Sequence, residues 1–280
     1  ELIFNALLLF IIFYIFKIFF LFYLIKKQSQ FIYKIQETIS TRLYRVYLRQ
    51  PYSFHLQKNS GKIISNTITE AMQFAMGFTS PLIYFFTDIF ILIGIFILLL
   101  IVEPIGALAS LALFSTGSYI LYYISKRKSS QWGEMRQIYE AQRMQSAQQG
   151  INGIKDVKLY SREEEFSMHY SKNTNISLNS ALKQTILQNI PKIFFEMLAV
   201  LSLSVLIYVL LINNTSPEVL IATLGVFAMS AFKLLPSVAR LVANLQAFRF
   251  TIPVVKIIDN ALELEKNDLN KINIKEITFN

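Results

Sequence analysis

The 280-residue sequence is 54% apolar and 14% aromatic, with only 16% charged residues and a mean hydropathy of +0.44. Soluble domains carry about 45–50% apolar and about 25% charged residues, so a disordered chain, an acidic activator and an ordinary water-soluble enzyme are all excluded. The net charge of +9 on so apolar a chain points to loops facing an anionic leaflet rather than to nucleic acid, and with no Cys and two His there is no material for disulfides or thiolate metal sites.

A hydrocarbon layer about 30 Å thick needs roughly 20 apolar residues per helix. The first stretch of that kind is 2–25, with Lys17 deep inside it. A basic segment follows, holding Lys26, Lys27, Lys34, Arg42, Arg45, Arg49, Lys58 and Lys62. Within it Phe31, Ile35, Ile39, Leu43, Val46 and Tyr47 fall at helical spacing, and Pro51 and Gly61 are the breaks before Gly77. The second and third spans, 81–102 and 106–124, are separated by Glu103-Pro104-Ile105, which has no cation; the second contains Asp88. Another long basic and helical segment runs from Lys126 to Lys183, broken at Gly150 and Gly153. The fourth span is 190–212, with Lys192 and Glu196 near its start, and a cation-free link leads to a fifth from 219 to about 235, carried past Pro236 to about 250.

Five such spans predict an all-α polytopic membrane protein. Lysine and arginine concentrate in the two long segments, which are therefore expected in the cytoplasm, with the short links outside. The N-terminus then starts outside and the C-terminus ends inside. The long segments predict helices that continue well beyond the bilayer and turn back sharply at their tips.

Charged groups inside spans are costly unless they face a cavity or a partner. On the fifth span Thr223, Ser230, Ser237, Asn244 and Thr251 recur every seven residues, with Lys233 and Arg240 also seven apart. Seven residues make nearly two turns, so these side chains share one broad face. The substrate cavity is expected to be lined by Lys17, Ser230, Lys233, Ser237, Arg240 and Asn244, a set whose cations suit an anionic head group. The competing expectation pairs Lys17 with Asp88 and Lys192 with Glu196, and leaves Arg240 near the cytoplasmic interface. At the end of the chain, 272–279 alternates with period two, as a strand does.

Two stretches carry a family resemblance. Leu48-Arg49-Gln50-Pro51-Tyr52-Ser53-Phe54, then Ser60-Gly61-Lys62-Ile63-Ile64-Ser65 and Glu70, resembles the first cytoplasmic loop of type I ATP-binding-cassette exporters. Here His55 stands for the pattern's second aromatic, Asn66 for its Arg and Glu70 for its Asp. Gly153-Ile154-Lys155-Asp156-Val157-Lys158-Leu159-Tyr160-Ser161-Arg162-Glu163 resembles the second loop, with Gln148 where an acidic residue often precedes it. The family's membrane domain has six spans per subunit, so the resemblance implies that residues 1–255 hold five of the six, lacking the first. It further implies a linker over 256–270 and the first strand of a nucleotide-binding domain over 271–280.

The same resemblance implies short coupling helices at the loop tips. Their contacts would be Tyr52, Phe54 and His55 in the first loop, and Ile154, Val157 and Tyr160 in the second. ATP and Mg would be bound by a nucleotide-binding domain lying beyond this chain, which contains no Walker A pattern and so no catalytic residue. The chain opens at Glu1 inside an apolar run and stops at Asn280 inside a strand-like one, so a larger parent is expected, and the resemblance implies that it is a homodimer in the bacterial inner membrane. The run Lys233-Leu234-Leu235-Pro236-Ser237-Val238-Ala239-Arg240 looks most like that of lipid-linked oligosaccharide flippases, which handle a polyprenyl-pyrophosphate glycolipid. An exporter of peptides, drugs or other lipids is the alternative within the family, and a membrane scaffold or channel without a motor the alternative outside it.

Overall fold

Long rods dominate the computed structural model, which describes residues 2–102, 104–212 and 217–277 and is helical almost throughout. Helix α1 spans Leu2–Arg49, α2 Tyr52–Gln57 and α3 Ser60–Ser65; α4 (Ala71–Phe74) and α5 (Ser80–Val102) continue the line of α3 through two π-turns, Asn66–Glu70 and Ala75–Thr79. Then come α6 Pro104–Asn152, α7 Ile154–Leu159, α8 Glu163–Ile212 and α9 Pro217–Ile277. At 1.5 Å per residue the 49 residues of α6 and the 50 of α8 each reach about 75 Å, so roughly 45 Å of each projects beyond a hydrocarbon layer. Among the described residues four helical rods are long and apolar enough to cross a membrane, namely Phe4–Arg49, Ser60–Ile101, Glu163–Val205 and Ala228–Lys266. The third expected span, 106–124, is the outer part of α6, some of whose side chains lie outside the described residues.

Packing proceeds in tiers along the rods. At membrane level Phe195 of α8 is fully enclosed by Val238, Ala239 and Val242 of α9, with Phe114 of α6 and Leu92 of α5 against them. Nearer the tips Leu43 and Tyr47 of α1 meet Ala71 of α4 and Val254, Ile258 and Ala261 of α9. Helix α1 is held through this lower tier alone; the apolar stretch at its start is unburied along its whole length, as lipid-facing surface should be.

Two backbone contacts explain why glycine stands where it does. A Cβ on Gly61 would come within 2.8 Å of the Gln145 backbone of α6, and one on Gly133 would run into the Phe250 carbonyl of α9. The π-turns are also tied to neighbours: Ser40 Oγ donates to the Thr67 carbonyl (2.8 Å) and Thr251 Oγ1 to the Gly77 carbonyl (2.9 Å). Hydroxyls from α1 and α9 thereby satisfy carbonyls in a wide turn, as polar side chains do for irregular backbone in membrane helices.

Helix α9 runs on through 256–277, which takes in the expected linker over 256–270 and part of the expected strand over 271–280; 278–280 lie outside the described residues. No strand exists among the described residues. Ile258, Ala261 and Leu262 also give the helix an apolar face packed on α1 and α4.

Candidate transport cavity

Between the π-turn region, α6, α8 and α9 lies an open cavity of about 1140 Å³. Its walls combine apolar groups (Met76, Phe232, Leu235, Pro236, Phe250) with the carboxamides of Gln73, Gln184, Gln188, Asn189 and Asn244 and the charges of Arg136, Lys192, Glu196 and Arg240.

Arg240 is the best placed of the expected cavity residues, but it is not free. Its Nε lies 3.1 and 3.0 Å from the two carboxylate oxygens of buried Asp88 on α5, and its Nη2 donates to Oδ1 at 2.5 Å. Nη2 also donates to Ser237 Oγ at 3.2 Å, so Ser237 steadies the guanidinium without itself lining the cavity. Asn244, one turn further along α9, does line it. Ser230 is buried away from the cavity, and the side chains of Lys233 and Thr223 lie outside the described residues.

The seven-residue stripe thus divides. Ser230 and Ser237 are buried and do not line the cavity, whereas Asn244 and Thr251 do, Thr251 while bonded to the Gly77 carbonyl. The cavity face of α9 follows the helical period, through Phe232, Leu235, Pro236, Ala239, Arg240, Ala243, Asn244, Ala247, Phe250 and Thr251. Lys17 stands on the unpacked outer half of α1, its Nζ 4.6 Å from the Tyr14 ring centroid, and does not line this cavity. Of the pairings in the competing expectation, Lys17–Asp88 is pre-empted by Arg240, and Lys192 and Glu196 both face the cavity without an ion pair between them.

A second charged pair closes the end of the cavity beyond the spans. Arg136 Nη2 donates to Glu70 Oε2 at 2.6 Å, and both side chains are nearly inaccessible. The guanidinium lies 6.0 Å from the Phe250 ring centroid. Burial pushes the Glu70 carboxyl above its ordinary range; Arg136 offsets part of this, and nearby Glu140 adds to it. Glu140 in turn accepts from Ser177 Oγ (3.0 Å) and from Arg143 Nη2 (2.5 Å). Alongside, Ser129 Oγ donates to Gln184 Oε1 (2.8 Å) and Gln246 Nε2 to Ser125 Oγ (3.1 Å). Sequence reading counted Arg136 only as a loop cation and Glu70 only as a departure from a pattern. Its signal was present in register: Ser125, Ser129, Arg136 and Glu140 on α6, and Ser177, Ser180, Gln184 and Gln188 on α8, form polar stripes at steps of three, four or seven.

The expected tip residues split by exposure. Tyr52 on α2 and Ile154 and Tyr160 around α7 are exposed, while Phe54 stacks on Tyr47 at 6.3 Å and meets half-buried His55 at 5.5 Å. Val157 is buried and anchors α7. Exposed Leu56, Ile151 and Leu159 complete the apolar surfaces of the tips. After α7 the Arg162 N–H reaches back to the Val157 carbonyl (2.9 Å) and the Ser161 N–H to that of Lys158 (3.3 Å), with Ser161 at φ +51°. This is a Schellman turn, which reverses the chain within three residues.

No curated protein matches the chain. The family model described as the ABC transporter transmembrane region matches residues 3–235, which takes in every element from α1 to the first third of α9. With its long membrane-crossing rods, short exposed tip helices and walled cavity, the chain belongs to the ABC transporter transmembrane-region family.

Proposed function

We propose that this chain is the membrane-spanning part of an ATP-driven exporter that flips an amphipathic lipid-linked substrate, a polyprenyl-pyrophosphate oligosaccharide being the reading its sequence favours, across the bacterial inner membrane. The observation that carries the proposal is the cavity of about 1140 Å³, which sets carboxamides and charges beside apolar walls, as a head group joined to a lipid tail requires. Two copies of the chain, each joined to a nucleotide-binding domain that holds ATP and Mg, would present the exposed residues Tyr52, Ile154 and Tyr160 to those domains from the cytoplasmic side. Phe54 and His55 would support the first tip from within, and Val157 the second. ATP binding favours the closed arrangement of the nucleotide-binding domains, and the rods transmit that preference to the cavity as a choice between inward- and outward-facing states.

The test is substrate-stimulated ATPase and flipping by the intact protein in proteoliposomes. A panel of polyprenyl-pyrophosphate glycolipids, phospholipids and amphipathic peptides is presented with MgATP. Stimulation and flipping by the glycolipids alone are expected. A peptide or phospholipid that stimulates while the glycolipids do not would reassign the cargo, and absence of ATP-dependent movement with every candidate would reject export.

A further inference from the structure

Cations of the chain keep two kinds of company. Toward the tips Arg42 pairs with Glu265 (2.7 Å), Lys158 with Glu163 (2.8 Å) and Arg162 with Glu165 (3.2 Å). At the level where the spans end, Lys27, Lys126 and Arg249 have no ion pair among the described residues. They lie beside tyrosine rings instead, 5.7 Å from the Tyr23 centroid, 4.2 Å from that of Tyr123 and 5.9 Å from that of Tyr122. Their own helices offer them no nearby carboxylate: α6 has no Asp or Glu before Glu134, and α9 has none between Glu218 and Asp259.

Two of these cations flank one pair of tyrosines at the seam between α6 and α9. Gln246 Nε2 donates to Ser125 Oγ (3.1 Å), which sets the register of the two helices. One turn further along α9, exposed Arg249 directs Nε (3.0 Å) and Nη2 (2.9 Å) at the Tyr122 hydroxyl oxygen. Lys126 stands one turn beyond Tyr122 on the same face of α6, its Nζ over the adjacent Tyr123 ring. Among the described residues three guanidinium N–H groups, the ammonium and the Tyr122 O–H have no acceptor. Neither Arg249 nor Lys126 lines the cavity.

Depth decides what meets these donors. Ile124 ends the apolar stretch of α6, so Lys126 lies about 3 Å beyond it and Lys128 about 6 Å. The head-group layer on each side of a bilayer is roughly 5–8 Å thick. The Arg249 guanidinium, held at Tyr122, is level with them. The acceptors at that depth are lipid phosphates, and Arg and Lys bind phosphate by charge-assisted hydrogen bonds. A zwitterionic head group brings its own cation, whereas an acidic one brings the uncompensated negative charge that this carboxylate-free seam lacks.

We propose that Arg249, Lys126 and the Tyr122 hydroxyl form a binding site for the phosphate of an acidic phospholipid, in the leaflet on the side of the tips and separate from the cavity. The tyrosine fixes the guanidinium and the second helix supplies the second cation, so the seam holds one lipid in place. Lys26 and Lys27 lie in the same layer on α1, which stands unpacked at this level, and only attract acidic lipid diffusely.

Native mass spectrometry of the intact transporter in mixed micelles, titrated with phosphatidylglycerol or phosphatidylcholine, tests the site. Phosphatidylglycerol should bind the unaltered protein more tightly than phosphatidylcholine. Arg249→Gln and Lys126→Gln, both at exposed or half-exposed positions, should each weaken it about fivefold, and the double variant about twenty-five-fold. Lys26→Gln/Lys27→Gln removes the same charge from the same layer and should keep most of the binding. Glycerol phosphate, the head group without tails, should fail to displace the lipid. No preference for phosphatidylglycerol, or a double variant that binds it as the parent does, would overturn the site. An equal loss in Lys26→Gln/Lys27→Gln would overturn it in favour of a general surface charge, and displacement by glycerol phosphate in favour of a soluble phosphate ligand.

Discussion

Removing the Arg136 guanidinium tests the electrostatics of the cavity floor most sharply. Glu70 is 1% exposed and its only described hydrogen-bond and ion-pair partner is Arg136 Nη2, at 2.6 Å. In Arg136→Met the stem volume is kept, but a carboxylate is left buried beside Glu140 with no cation against it. Breaking one side of a buried pair costs about 3–5 kcal/mol. For a chain of this size each kcal/mol moves the unfolding midpoint by about 2–4 °C, so a drop on the order of 10 °C is expected near pH 8.

The pH dependence supplies the refutation. The Glu70 carboxyl already titrates above its ordinary 4.5, because burial outweighs the help from Arg136. From that ordinary value up to the raised one, the native state holds more protons than the unfolded chain, so the stability contributed by this group is present in acid and falls as pH rises. Without Arg136 the native carboxyl moves higher still and the window widens upward. The deficit of Arg136→Met should therefore shrink as pH is lowered from 8 to 5, and the double variant Arg136→Met/Glu70→Gln should recover to within about 1 kcal/mol of the parent with little pH slope. Thermal unfolding in detergent across this pH range measures both. A deficit that is the same at pH 5 and pH 8, or a double variant no better than the single, would show that the pair does not carry the stability assigned to it.

Gly133→Ala should destabilise the α6–α9 crossing by about 2–3 kcal/mol, since the new methyl would strike the Phe250 carbonyl; a lowered unfolding midpoint and poor recovery in detergent are the readouts. Ser161→Gly should raise stability by about 1 kcal/mol by relieving a left-handed conformation at φ +51°, visible as a higher midpoint with unchanged helix content by circular dichroism. Thr251→Val should cost about 1 kcal/mol through loss of the bond to the Gly77 carbonyl in the second π-turn, measured as the same midpoint shift. Asp88→Asn should leave Arg240 uncompensated on the cavity wall, cost about 2 kcal/mol and increase pyrophosphate binding several-fold, with NMR titration as the check.

The spans were legible because lipid demands long unbroken apolar runs, and the reversals at Pro51 and Gly153 because so few other residues break the helical period. What the charges do was far less so. Asp88 and Arg240 lie 152 positions apart, and nothing in either neighbourhood names the other as its partner. A sequence presents Arg136, Lys192 and Arg240 as cations to be summed, and the sum suggests a basic cavity. Packing brings Glu70 and Asp88 against two of them and Glu196 onto the wall of the third, so the sum loses its meaning. The seven-residue stripe on α9 divides for a related reason: Asn244 and Thr251 line the cavity while Ser230 and Ser237 are buried away from it, because a heptad of Ser and Thr is as good a seam for close helix packing as it is a lining for water, and only the neighbours decide which. In a bundle of rods this long, the cost of burying a charge states that each one must have a partner, while the identity of that partner is a property of the assembled bundle.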